Sequence, residues 1–346
     1  MKSRVWGLDL LRAVAVLGVL LSHIQPHTQV NFFQKLLPVG PIFGVELFFV
    51  LSGFLIGQIL IREFCERRFE FSAALGFMRR RWYRTLPNYY LFFLITLLIQ
   101  PVPFSTFAPF LVFFQNAFTK PIAGFYGVTW SLTIEEIFYV SFPLALVVLA
   151  RFRISINAKL WVSIIAFILF PMLARYFFYD SDVYGNADYR KAVILRLDAI
   201  AFGVLFALIK VRYALIWKSL SKQGMWLLFP FWYFFMFNRA PVLKLEDWAL
   251  IYFPLCSACM ATMLPFFDSL KSNASIFSKP VTFLAAISYS LYLCHIPVII
   301  IVNRYLNTEK LLTGHYLEFV YVCLSILLAY LVFIAWEMPM TRLRDR

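Results

Sequence analysis

The sequence predicts an all-α polytopic membrane bundle of about ten transmembrane helices with both termini cytoplasmic, and three observations carry that expectation. Of its 346 residues, 62 % are hydrophobic and 14 % charged, whereas soluble domains run near half apolar and a quarter charged. Apolar runs of about 20 residues, enough to cross a bilayer, recur along the whole chain. The Lys and Arg residues gather in alternate connecting segments, as the positive-inside rule requires of a multi-pass chain. The formal charge of +14 therefore reads as topology. A nucleic-acid surface is not expected, because no basic, aromatic soluble segment accompanies the charge.

Taken in order, the spans are expected at 8–25, 40–61, 86–103, 129–150, 160–178, 192–209, 224–237, 248–267, 281–303 and 316–336. About two-thirds of the 32 Lys and Arg residues then share a side with the termini, which assigns that side to the cytoplasm. Ser105–Phe118, flanked by Pro101 and Pro103 and interrupted by Pro109, is short for a crossing. Counted as an eleventh span, it would carry the RFR of 151–153 and the RLRDR of 342–346 to the outside. It therefore reads as a re-entrant or surface segment. The start "MKSR" plus an apolar run has the outline of a signal peptide, but Asp9 and Arg12 interrupt it, so a retained first span is expected. The longest loop is the basic one at 62–85, and no repeat or low-complexity tract occurs. Residues 1–346 thus read as a single membrane domain whose chemistry lies in the bundle and its short loops. The five cysteines read as small hydrophobes: Cys256 and Cys259 lack the second ligand pair a zinc site needs, and no metal is expected.

Ionisable groups inside spans are costly and mark function or polar pathways. In the first span, Arg12 and His23 are eleven residues apart, which is three turns plus roughly 20° and a rise of about 16 Å. One helix face thus carries a cation near the inner mouth and a titratable base toward the outer one. Taken singly, Arg12 could snorkel to the interface and His23 could be capped by a carbonyl. Glu46 opens the second span at a depth similar to that of His23, where a carboxylate can orient and charge-stabilise an imidazole. Ser52 and Gly53 read as close-packing positions. In "FMRRRWYRTLP", Arg80, Arg81 and Arg84 share a helical face at three- and four-residue spacing. They read as a topological anchor or as a clamp, since the guanidinium fork binds phosphate bidentately.

"GVTWSLTIEEIFYVSFP" brings Trp130, Ser131, Glu135 and Glu136 into the fourth span. Adjacent residues point about 100° apart, so one glutamate is expected to face the interior, and Glu135 is the candidate. Arg196 and Asp198 lie in the sixth span, two residues apart; on a helix they would not face each other, so each needs a partner on another helix. Tyr289 and His295 lie on a hydroxyl-rich stretch in the ninth span. Glu337 reads as a helix-end residue, and His27 and His315 as loop histidines.

These pieces resemble, in this order, membrane acyltransferase family three, the polytopic bacterial O-acyltransferases that modify cell-surface glycans. The matching features are Arg12 with His23, "GVELFFVLSGFLI", "RRWYRTLP", "WSLTIEEIFY", "RLDAIAFG", "ISYSLYLCHIP" and the terminal "EMP", and they extend along nearly the whole chain. Glu46 is a departure, since family members more often carry aspartate there. No extra C-terminal hydrolase-like domain of the kind some relatives carry is expected.

The resemblance implies transfer of an acyl group, usually acetyl, from cytosolic acyl-coenzyme A to a glycan hydroxyl on the periplasmic side of the inner membrane. It implies that Arg12, Arg80, Arg81 and Arg84 hold the coenzyme's phosphates. His23 would be the general base or a transient acyl carrier, with Glu46 orienting it and Glu135 facing the reaction. Trp130, Ser131, Arg196, Asp198, Tyr289 and His295 would bind substrate or hold the bundle together. A secondary transporter or flippase would also place ionisable groups in mid-membrane, but the two related halves such a protein tends to have are not found in the sequence. A non-catalytic membrane assembly protein would not need His23.

Overall fold

The computed structural model describes residues 4–28, 41–66, 69–117, 125–178, 190–222, 226, 245–271, 276–306 and 313–343. Among these residues the elements are helices, and no strand occurs. They are α1 (Trp6–Thr28), α2 (Pro41–Glu66), α3 (Phe71–Ile99), α4 (Phe104–Leu111), α5 (Trp130–Ala150), α6 (Ile156–Phe177) and α7 (Leu197–Arg212). After α8 (Ala214–Lys222) come α9 (Leu245–Ser269), α10 (Ser278–Ile301), α11 (Gly314–Val332) and α12 (Met338–Leu343). Among the described residues six helices are long and apolar enough to cross a membrane, or seven if α7 and α8, bent by 114° at Tyr213, form one broken span. The chain is a multi-pass, all-helical membrane protein.

Two sequence expectations shift. The basic segment 62–85 is mostly helix, because α2 runs on to Glu66 and α3 starts at Phe71; the arginines of 79–84 therefore have fixed angular positions. The sixth span is split by a 3-10 turn at Val193–Leu195, and α7 begins only at Leu197. As expected, the segment read as re-entrant or surface is no crossing: α4, at Phe104–Leu111, is only eight residues long and is followed by Phe113 with a φ of 58°. The expected span at 224–237 lies, apart from Trp226, outside the described residues.

Among the described residues the most extensive helix pairing is that of α2 with α7. A methyl group on Gly53 would sit 1.9 Å from the carbonyl oxygen of Ile200, and one on Gly203 would sit 2.1 Å from that of Val50. The two backbones touch through a pair of glycines, the small-residue packing that membrane helices use where burial alone gives no driving force. Beside this seam lies a chain of buried charges. Arg175 of α6 donates to Asp198 at 2.7 Å, Arg196 donates to Glu46 at 2.5 Å, and Arg196 Nε lies 3.9 Å from Asp198. Ser257 of α9 donates to the other Glu46 oxygen at 2.9 Å. All four charged side chains are fully buried. The two acids and two bases balance within the chain, which a low-dielectric interior demands of any charge it holds. Arg196 and Asp198 do approach each other, contrary to the helical expectation, because Arg196 precedes α7 with an extended φ of −135°.

Two substitutions test this framework. Gly53→Ala forces α2 from α7 and is expected to lower the unfolding midpoint of the detergent-solubilised protein, whereas alanine at Gly127, where an added methyl group meets nothing within 4 Å, should leave it nearly unchanged. Arg196→Leu strands Glu46 and is expected to cost about 3–5 kcal/mol. The double replacement Arg196→Leu with Glu46→Leu should recover much of that loss; a double variant no more stable than the single one would contradict the pairing.

Candidate active site

A cavity of about 670 Å³ runs through the bundle between α1, α2, α3, α5 and α10. Along α2 its lining extends from Val45 to Arg62, about 25 Å at 1.5 Å per residue. One end is cationic: Arg62 of α2, Arg81 and Arg84 of α3 and Arg12 of α1 line it, with Gln58 among them. The walls mix apolar side chains such as Phe48, Leu55 and Leu132 with Ser52, Thr85, Ser131, Glu135 and three tyrosines.

The arginines divide by helix angle. Arg81, Arg84 and Thr85 share the inward face of α3. Arg80, about 100° from Arg81, points away and pairs with Glu63 at 2.9 Å on the surface. Arg80 is thus apart from the cavity that Arg81 and Arg84 line, although the sequence read all three as one face. Arg81 lies over the Tyr139 ring at 5.0 Å, and its Nε is buried without a hydrogen-bond partner among the described residues. Arg12 sits 3.6 Å from Asp9, which also accepts two bonds from Arg4 at 2.9 and 3.2 Å.

Glu135 forms part of the cavity wall, accepting from Ser52 at 2.9 Å and from Tyr139 at 2.8 Å. Glu136 is buried as well and accepts from Thr85 at 2.7 Å. Both glutamates face protein because α5 packs against α3 as well as α2, so the expectation that only one could do so is corrected. Trp130 accepts at its carbonyl from Asn116 at 3.0 Å, and Arg190 lies 5.3 Å over its ring.

At the end of the cavity away from the arginines, the Tyr292 hydroxyl donates to the Val128 carbonyl at 2.9 Å and accepts from Ser131 at 2.6 Å. Its ring lies 6.0 Å from Phe48 on one side and 6.0 Å from His295 on the other. The His295 ring is in turn 5.0 Å from that of His23. Each imidazole uses Nδ1 on a carbonyl of its own helix, His23 on Val19 at 2.9 Å and His295 on Leu291 at 3.2 Å. A carbonyl only accepts, so Nδ1 carries the hydrogen in both rings, and in the neutral imidazole Nε2 keeps its lone pair. His295 Nε2 is buried without a partner among the described residues, whereas His23 is partly exposed.

Glu46, expected beside His23, is held instead by Arg196 and Ser257. Among the described residues no hydrogen bond or ion pair joins it to His23; the neighbour of His23 is His295. With Arg196 and Asp198, Glu46 belongs to the buried charge chain beside the glycine seam. No sequence spacing links His23 to His295, because the contact exists only once α1 packs on α10.

The pattern also missed a polar knot behind the cavity. Glu337, read as a helix-end residue, accepts from Asn88 at 2.9 Å and Ser290 at 2.5 Å. Tyr289, on the same helix as Ser290, lines the cavity and donates to the Thr85 carbonyl at 2.8 Å. Of the expected loop histidines, His27 ends α1 and accepts at Nδ1 from Asn303 at 3.3 Å. His315 is in the first turn of α11, 3.6 Å from Glu318. No group of three or more His, Cys, Asp and Glu side chains among the described residues is placed to hold a metal ion.

A chamber with guanidiniums at one mouth, hydroxyls along the wall and two imidazole rings beyond the far end can hold an anionic group and move a proton at a distance from it. The acyltransferase domain family model matches residues 5–335. Proteins named O-acetyltransferase OatA from Staphylococcus aureus strains NCTC 8325, COL and MRSA252 are 28 % identical over 375 residues, which cover 98 % of this chain and 57 % of theirs. The chain thus spans under two-thirds of the length of these relatives. No solved structure gives a significant match. Because the family match encloses every residue that lines the cavity together with both histidines beyond it, the chain belongs to the acyltransferase 3 family.

Proposed function

We propose that this protein is a membrane O-acyltransferase, an O-acetyltransferase by its relatives' name. It takes the acyl group from cytosolic acyl-coenzyme A and passes it to a hydroxyl of a glycan at the outer face of the bacterial inner membrane. The observation that carries the reading is the single cavity whose lining runs from Arg62, Arg81, Arg84 and Arg12 to Tyr292, with His295 and His23 beyond it. Ten crossings with cytoplasmic termini put the arginine end on the side of a cytosolic donor, in keeping with the bias of Lys and Arg toward the segments on that side.

The residues present fit such a donor. The Arg81 Nε, buried with no partner among the described residues, and the Arg84 and Arg12 side chains suit the coenzyme's phosphates, and a wall alternating Ser52, Thr85 and Tyr289 with Leu55 and Leu132 suits an arm of mixed amide and methylene character. At the far end, His23 Nε2 takes the proton of the acceptor hydroxyl as that oxygen bonds to the acyl carbon. The carbon–sulfur bond breaks, and the proton returns to the departing thiolate to give free coenzyme A, relayed by His295 Nε2. Tyr292, fixed by Ser131 and Val128, borders this step. Glu135, held by Ser52 and Tyr139, fixes the wall along which the donor arm lies.

General-base catalysis contributes about 10²–10⁴-fold. His23→Ala is therefore expected to cut acylation of surface glycan by at least that factor at matched protein level, scored by mass spectrometry of the glycan. His295→Gln, which removes the relay but keeps a polar side chain, should give a smaller loss. Full activity in His23→Ala would remove the catalytic assignment and favour a transporter. Arg84→Lys keeps the charge and removes the fork, so the purified variant should bind acetyl-coenzyme A more weakly than the parent; equal affinity would count against the clamp.

A further inference from the structure

A second, smaller cavity of about 310 Å³ abuts the first, and Arg12 and Arg84 line both. Its remaining cations are Arg4, ahead of α1, and Arg342 in α12; Phe333, Ala285, Ala286 and Thr341 complete the parts used here. Glu337 also borders it, but its carboxylate is committed to Asn88 and Ser290. Four guanidiniums around so small a volume imply an anionic occupant. Asp9 sets two of them: it is 3 % exposed and ties Arg4 and Arg12 to one carboxylate. The sequence singled out Asp9 only as an interruption of the first span; here it is a positioning residue.

We infer that this second cavity binds the adenosine 3′-phosphate end of the acyl donor, with the diphosphate lying at the wall the two cavities share. The inference rests on the donor assigned under the proposed function. It follows from how the charges are sorted. The donor carries its phosphates in two places, a diphosphate next to the acyl-bearing arm and a monophosphate on the ribose beyond it. The protein likewise carries its arginines in two places, Arg12 and Arg84 between the cavities and Arg4 and Arg342 beyond them. The Phe333 ring gives a planar base an aromatic face, and Ala285 with Ala286 adds lining with nothing larger than a methyl group. A phospholipid headgroup or free phosphate would satisfy the arginines alone but would not need the first cavity.

The test compares acetyl-coenzyme A with 3′-dephospho-acetyl-coenzyme A, binding each to the full chain in phosphatidylcholine nanodiscs. The parent should bind the dephospho donor about tenfold or more weakly, the scale of one charge-assisted phosphate contact. Arg342→Gln, at an exposed position, should lose a similar factor for acetyl-coenzyme A and nothing for the dephospho donor. Equal affinity of the parent for both donors would overturn the inference while leaving the donor reading intact, as would an Arg342→Gln loss of the same size on both. A folded parent that binds neither donor would remove the donor reading, and this inference with it.

Discussion

Charge inside a bilayer has to be neutralised by protein, and in this chain that constraint is met by one linked set: Arg175, Asp198, Arg196 and Glu46. These four side chains come from α2, α6, the residue before α7 and the first turn of α7, and Ser257 adds α9. Losing any one would leave a partner stranded where an unpaired charge costs several kcal/mol. The set therefore fixes one flank of the bundle beside the Gly53–Gly203 contact. With that flank closed, the cavity forms between α2 and α1, α3, α5 and α10. Glu46 and Ser52 lie on the same helix and serve different flanks.

The second organiser is α10, which spends its polar groups within two turns. Tyr289 ties α3 through the Thr85 carbonyl, Ser290 reaches Glu337, Tyr292 faces the cavity, and His295 meets His23. Pro297 has no amide hydrogen, so the Leu293 carbonyl lacks its intrahelical donor. The hydroxyl of Tyr126 supplies one at 3.1 Å. Tyr126 itself has a φ of 37°, and this turn leads the chain into α5, whose first residues include Ser131, the partner of Tyr292. A proline that would otherwise leave a polar group bare in hydrocarbon thus anchors the start of a cavity helix next to the histidines.

Much of this was legible in the sequence, for reasons that can be stated residue by residue. Apolar length marked α1, α2, α5, α6, α10 and α11, because each had to satisfy its backbone internally in lipid. The helical spacing of Arg81 and Arg84 marked the cationic mouth, and the rarity of ionisable groups in spans drew attention to Arg12, His23, Glu135, Arg196 and His295. What failed was pairing. Glu46 matched His23 in depth along the chain, but depth does not say which face a side chain takes, and Arg196 claimed it. Arg80 and Arg81 are neighbours in sequence and face different surroundings in the fold. Arg196 and Asp198 looked unable to meet because the chain there was read as continuous helix, whereas α7 starts one residue after Arg196. The contact of His23 with His295 joins residues at opposite ends of the chain, and no local pattern encodes it.

The central claim is that one cavity carries a donor from the arginines to Tyr292, with the histidine pair next beyond it. Its most direct test is a cryo-EM structure of the protein bound to a non-hydrolysable acetyl-coenzyme A analogue. The account requires phosphate density against Arg12, Arg81 and Arg84 and the acyl end next to Tyr292, on the side of His295 and His23. Density for the analogue outside the cavity, or with its acyl end at the arginines, would contradict it.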